Sequence, residues 1–179
     1  MSIQSAKSYA QSLFDTALKH DKEKKVLKDL LAIHDSVNEQ KKSYLNVVNH
    51  PKLSKDARMD MISKSFGEAN KYVVNTIKVM ASNNKLDLLP YLYEAYEEVY
   101  NEHLGIRKAT VESTYKLDET ELERIGQVFV QKLGLNKLIM KNEVNPSLIG
   151  GVRIKIDTKV YDGSIKTKLN DIKQRVVRH

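Results

Sequence analysis

The residues that come nearest to a phosphate cradle are Gly150-Gly151 and, further on, Asp162-Gly163-Ser164. Phosphate capture needs a glycine-rich loop between a strand and a helix N-terminus, so that backbone N–H groups and the helix dipole face the anion. Here the paired glycines come before the alternating stretch 152–156, so the order is wrong. Asp162 does stand ahead of a predicted helix, but its carboxylate repels an anion. Structural roles fit these residues better. Paired glycines at a strand start permit a bulge or a close backbone approach. Asp-Gly-Ser is a turn followed by an N-cap.

Other chemistry has less to build on. The five histidines, at positions 20, 34, 50, 103 and 179, are scattered, and no HExxH spacing occurs. His34 lies beside an apolar stripe and reads as a core or boundary histidine. There is no cysteine, which excludes disulfides, thiolate metal sites and cysteine nucleophiles. Acidic residues alternate with lysine along predicted helices, the pattern of a solvated face. Neither a Walker-type loop nor a G-x-G-x-x-G fingerprint is present. The sequence therefore predicts no enzyme, no metal and no cofactor.

Charge is the next signal. The chain carries a net charge of +7, with 41% hydrophobic residues and 30% charged. Residues 1–105 hold 15 Lys/Arg against 14 Asp/Glu, and residues 106–179 hold 15 against 9. An excess confined to one half suggests an acidic partner or membrane proximity for that half. A basic nucleic-acid-binding protein is the alternative reading, with Lys166, Lys168, Lys173, Arg175 and Arg178 crowding the predicted last helix. Cations near a helix C-terminus also simply suit its dipole. The aromatic strand signature of an RNA-binding sheet is missing. No apolar run approaches the roughly 20 residues needed to span a bilayer, so direct membrane insertion is not expected. The opening MSIQSAKSYAQSL has neither a signal core nor transit-peptide character.

The elements behind these residues fall into two blocks. Ala6, Tyr9, Ala10, Leu13, Phe14, Ala17 and Leu18 follow helical spacing and define a wide apolar face. A second helix is expected over 21–42, with Leu27, Leu30, Leu31, His34 and Val37 inward. A short apolar piece over 44–48 stops before His50-Pro51, since the residue before proline resists helical geometry. Ser54 caps a fourth helix that Gly67 stops. A fifth carries Val73, Ile77, Met80 and Ala81, and ends at Asn83-Asn84. A sixth starts near Asp87, with Pro90 in its first turn and Gly105 at its end. Alternation then takes over. Strands are expected at 106–114, 138–144 and 152–156. A capped helix from Asp118 to Gly134 lies between the first two, and a last helix carries Ile165, Leu169, Ile172 and Val176. The predicted fold is α+β with two domains: a six-helix bundle over 1–105, then a small β-α-β-β-α domain over 106–179.

Two stretches of this pattern resemble a known family. SYAQSLFDTA with VNTIKVMASNNKLDLLP, and NPSLIGGVRIKIDTKVYDGSIKTKLNDIKQRV, are similar to the delta subunits of bacterial and chloroplast F-type ATP synthases. Those are equivalent to the mitochondrial oligomycin-sensitivity-conferring protein. The similarity runs in order along essentially the whole chain, and its C-terminal block is the more specific. Lys7, Ser8, Gln11 and Ser12 depart from the arginine and alanines usual in the first block, which alters fine contacts on helix one and not the fold.

The resemblance implies a non-catalytic stator subunit that joins the catalytic headpiece to the peripheral stalk, so that rotation is coupled to proton flow and ATP synthesis. It implies that helices one and five form a groove for the N-terminal helix of an alpha subunit. The groove residues would be Tyr9, Ser12 and Leu13 facing Asn75, Thr76 and Val79, lying beyond the core stripes. It implies that domain 106–179 meets the stalk b subunits, one copy per complex. It also implies a peripheral location on the cytoplasmic side of a bacterial plasma membrane. Gly150, Gly151, Asp162, Gly163 and Ser164 remain turn and cap residues.

Overall fold

The computed structural model describes residues 3–50, 54–165 and 167. Contacts divide the chain into two compact units, Met1–Tyr100 and Asn101–His179. The first unit contains α1 (Ile3–Leu18), α2 (Glu23–Glu39), α3 (Lys41–Val48), α4 (Lys55–Phe66), α5 (Lys71–Ser82), a 3-10 turn (Leu86–Leu88) and most of α6 (Leu89–His103). Ala6, Ala10 and Ala17 are fully covered together with Leu13 and Phe14. These small side chains let neighbouring helices approach α1 closely. Phe14 meets Tyr96 edge-on at 5.8 Å between ring centroids. The Tyr96 hydroxyl donates to the Glu23 carbonyl, and Tyr44 donates to the Leu86 carbonyl at 2.8 Å. Burial pushes both phenols above their ordinary value.

The predicted N-cap Ser54 is in place, and Asn70, which the sequence reading did not single out, caps α5. Ser54 accepts from the Ala57 N–H and Asn70 from the Tyr72 N–H. His34 is a boundary residue, as its place beside a stripe suggested. Its Nδ1 lies 3.0 Å from the Pro90 carbonyl and its Nε2 2.8 Å from the Asn38 amide, so it ties α2 to α6.

Two expectations need correction here. The predicted helix 21–42 is broken at Gln40 into α2 and α3. Its core stripe is Val26, Leu30, Ile33 and Val37, whereas Leu31 is 41% exposed. Two apolar stripes overlap on this helix, and periodicity alone does not choose between them.

The second unit is a four-stranded sheet in the order β2-β1-β3-β4, made of β1 (Ile106–Ser113), β2 (Lys137–Val144), β3 (Val152–Ile156) and β4 (Lys159–Asp162). β1 and β2 are parallel, joined through α7 (Glu119–Leu133); the other pairs are antiparallel. Asp118 and Glu121 form the predicted capping box, and Gly134 ends α7 in the left-handed region at φ 63°. Leu122, Ile125, Phe129 and Leu133 of α7 pack on Val111, Leu138, Ile154 and Ile156 of the sheet. β4 was not expected. It is only four residues long, and the turn before it uses Asp157 at φ 52° with no glycine to announce it. The expected β-α-β-β-α order therefore becomes β-α-β-β-β before the next helix. Ile165 and Thr167 are helical, and Leu169, Ile172 and Val176 of the predicted last helix lie outside the described residues.

The sheet face turned away from α7 carries a row of charges set by strand register. Glu112 pairs across the sheet with Arg153, and Arg153 with Asp162. Glu112, only 5% exposed, is bound by Arg153 at 3.2 Å, by the Asn145 amide at 2.8 Å, and by Lys155. Lys155 and Asn145 hold its carboxyl below the usual range.

Candidate functional site

Within the first unit, α1 and α5 lie side by side and antiparallel: Tyr9 meets Asn83 at one end, and His20 stacks on Tyr72 at the other. Between them runs an open groove with a cavity volume of about 370 Å³. One wall is Ser8, Tyr9, Ser12 and Thr16, the other is Tyr72, Asn75, Thr76 and Val79, and Leu13 lies between them. None of these side chains is charged.

All six residues singled out from the sequence line this groove. Their depths differ. Leu13 is 2% exposed and forms the floor, so it belongs to the core stripe and does not lie beyond it. Val79 is 51% exposed on the rim. Ser8, Thr16 and Tyr72 also line the walls and were missed. The spacing of four in Ser8, Ser12 and Thr16 was the available signal, since it places three small residues in one ridge along a helix.

Three of the wall hydroxyls are already engaged. Ser12 donates to the Ser8 carbonyl at 3.0 Å, Thr16 to the Ser12 carbonyl at 2.8 Å, and Thr76 to the Tyr72 carbonyl at 2.9 Å. Back-bonding of this kind turns a polar ridge into one that asks little of a partner. The result is a trough with an apolar floor, low walls and no demand for charge. It suits one face of an amphipathic helix.

The glycine-rich turn in the second unit is a closed piece of scaffold. Gly151 has φ +76°, and a Cβ there would sit 2.6 Å from the Gly163 carbonyl oxygen. The Gly163 N–H donates to Val152 and the Ile165 N–H to Gly150, both at 3.0 Å. Asp162 accepts from the Ser164 N–H and, through its other oxygen, from Arg153, each at 2.9 Å. The Ser164 contacts, with help from Arg153, hold its carboxyl well below the usual range. Buried Ser164 accepts from the Thr167 N–H at 3.3 Å, as an N-cap does. These N–H groups face acceptors of this chain, so no anion cradle exists here. Among the described residues no group of three His, Asp or Glu side chains could hold a metal ion. None of the described helices is long and apolar enough to cross a membrane.

Comparison with known proteins agrees with this geometry. The family profile "ATP synthase delta (OSCP) subunit" matches residues 6–176. The chain is 36% identical over 173 residues to ATP synthase subunit delta of Staphylococcus carnosus (strain TM300), covering 97% of each chain. It is 31% identical over 176 residues to the same subunit of Staphylococcus aureus (strain JH9), covering 98% of each. Among solved structures, a chain of the Toxoplasma gondii mitochondrial ATP synthase hexamer superposes with a TM-score of 0.65, covering 96% of this chain and 97% of that one. At 16% identity that likeness speaks for the fold alone. A helical bundle, a small mixed sheet and a family match along nearly the whole length lead to one assignment: this chain belongs to the ATP synthase delta (OSCP) subunit family.

Proposed function

We propose that the α1–α5 groove is where this chain holds the catalytic headpiece, by taking up the amphipathic N-terminal helix of an alpha subunit. As a delta subunit the chain is a non-catalytic stator component of the ATP synthase, linking the headpiece to the peripheral stalk. The observation that carries the groove assignment is its uncharged lining over a buried leucine, with the Ser12, Thr16 and Thr76 hydroxyls bonded to their own helices. Burying such a surface removes apolar area from water and leaves those three donors satisfied, so association follows from the hydrophobic effect.

In this reading domain 106–179, with its cationic excess, takes the stalk b subunits by charge complementarity. One copy works per complex, peripheral to the cytoplasmic side of a bacterial plasma membrane. Two contacts in one chain raise the effective concentration of each and hold the joint closed when either lets go. Nucleic-acid binding is less well supported. Arg153 and Lys155 on the sheet, and Arg107 beside it, are paired with Glu112, Asp162, Glu102 and Asp157.

The test is titration of a fluorescent synthetic peptide of the alpha-subunit N-terminus with the full chain, followed by anisotropy. Saturable binding that Ser12→Trp abolishes by filling the groove is the expected result. Binding untouched by Ser12→Trp refutes the site. A tagged chain that recovers nucleic acid from membranes, and no alpha or b subunit, refutes the partners.

A further inference from the structure

We propose that a second site on the bundle, a cleft where α3, α4 and the end of α5 meet, binds one small oxyanion, a carboxylate or a phosphate, through the Arg58 guanidinium. The cleft has a volume of about 200 Å³ and is lined by Val48, Asn49, His50, Arg58, Asn84 and Leu86. Val48 and Leu86 are buried and form an apolar floor. No carboxylate is among the described lining residues.

Arg58 is the one cation that the cleft always carries, and its partners are neutral. Its Nη1 donates to the Asn84 side-chain oxygen and, at 3.4 Å, to the Ala81 carbonyl. Its Nε–H is buried and has no hydrogen-bond partner among the described residues. Buried donors are nearly always satisfied, and an orphan beside a cavity points to a missing water or ion. A partly buried charge makes the point sharper, since such groups are usually paired. The C-terminal carbonyls of α5 supply only about half a unit of negative charge. A guanidinium offers a fork that matches a carboxylate or phosphate edge. Binding at Nε–H requires the fork to turn from Asn84 toward the cleft.

The site is distinct from the groove. One turn serves both, with Asn83 on Tyr9 at the groove's end and Asn84, at φ 55°, on Arg58.

The chain has six arginines, so their Nε–H signals resolve in a nitrogen-edited NMR spectrum. Full-length chain is titrated with sodium phosphate and, separately, with sodium acetate, at constant ionic strength set with chloride. The expected result is a saturable shift of the Arg58 Nε–H, with a midpoint on the order of 1–10 mM for a single charge-assisted contact. Arg153, already held by Glu112 and Asp162, does not move. Saturation by acetate alone assigns the site to carboxylates, and saturation by phosphate alone to phosphoryl groups. A linear drift shared by Arg58 and Arg153 in both titrations overturns the proposal and leaves water as the cleft's occupant. As a second readout, phosphate or acetate raises the melting temperature of the wild type and not of Arg58→Gln. If Arg58→Gln does not fold, Arg58→Lys replaces it, and the wild-type NMR titration decides by itself.

Discussion

Val79 separates a partner-binding role from a folding role more cleanly than any other groove residue. It is 51% exposed in the free chain, so about half of its side chain still meets water. Fully burying a valine is worth about 1.5 kcal/mol or a little more. The half that a partner helix would cover is therefore worth about 0.8 kcal/mol, and Val79→Ala should weaken peptide binding about fourfold. Val79→Thr keeps the shape, and its hydroxyl can bond back to the carbonyl one turn earlier, as Thr76 does. Its loss should be of the same small size. Val79→Asp is different in kind. A carboxylate enclosed by an apolar helix face without a partner costs several kcal/mol, about a hundredfold or more in affinity. In the free chain the same carboxylate is hydrated, so stability should change by about 0.5 kcal/mol or less. The assay is anisotropy of the labelled alpha N-terminal peptide, with thermal melts of every variant. Lys28→Asp, on the exposed side of α2, is the control and should bind as wild type does. Two results refute the reasoning: Val79→Asp folded and binding normally, or Val79→Ala losing as much as Val79→Asp.

Three further outcomes are expected. Glu112 and Asp162 have folded-state carboxyl pKa values below their unfolded ones, so their stabilisation is complete above the ordinary carboxylate range and is lost as pH falls through the folded values; acid melts of Asp162→Asn should show a shallower loss of stability below about pH 4 than the wild type. Gly151→Ala forces a left-handed alanine against the Gly163 carbonyl and should destabilise the second unit by about 2 kcal/mol or more, seen as a lower urea midpoint with no change in peptide binding. Residues 1–105 expressed alone should be soluble and almost purely helical by circular dichroism; a strand signal or an unfolded fragment would remove the boundary near Gly105.

The sequence made the helices legible because each carries its own periodicity and its own punctuation. Ser54, Asp118 and Gly134 all act where the sequence pattern places them. What pairs with what was less visible. Tyr9, Ser12, Asn75, Thr76 and Val79 are off-stripe positions on two helices, but nothing local says that those helices are neighbours. That came from the family resemblance. Leu13 was read as a wall residue and is the floor, because a residue at the edge of a wide stripe can fall on either side of a core boundary. The Glu112–Arg153–Asp162 row was not legible at all. It exists only once register sets three distant strands side by side, and register is a property of pairing, not of any one strand. Arg58 was passed over for a similar reason: a lone arginine on a helix looks solvated until the end of another helix is laid beside it.

The groove's stopped ends bear on how such a joint withstands load. A ridge of Ser8, Ser12 and Thr16 is smooth along its length, with few knobs to catch a neighbouring helix. Apolar contact resists lifting, because lifting re-exposes surface to water. It resists axial slip far less, since sliding by one turn, about 5.4 Å, exchanges one set of similar contacts for another. Slip must be blocked where the trough closes. The Tyr9–Asn83 hydrogen bond and the His20–Tyr72 stack stand at those two places. If the groove holds the headpiece helix as proposed, these four side chains would be its stops against axial slip. Their removal would show as creep under force, in a tethered-molecule experiment, before it showed as any loss of equilibrium affinity.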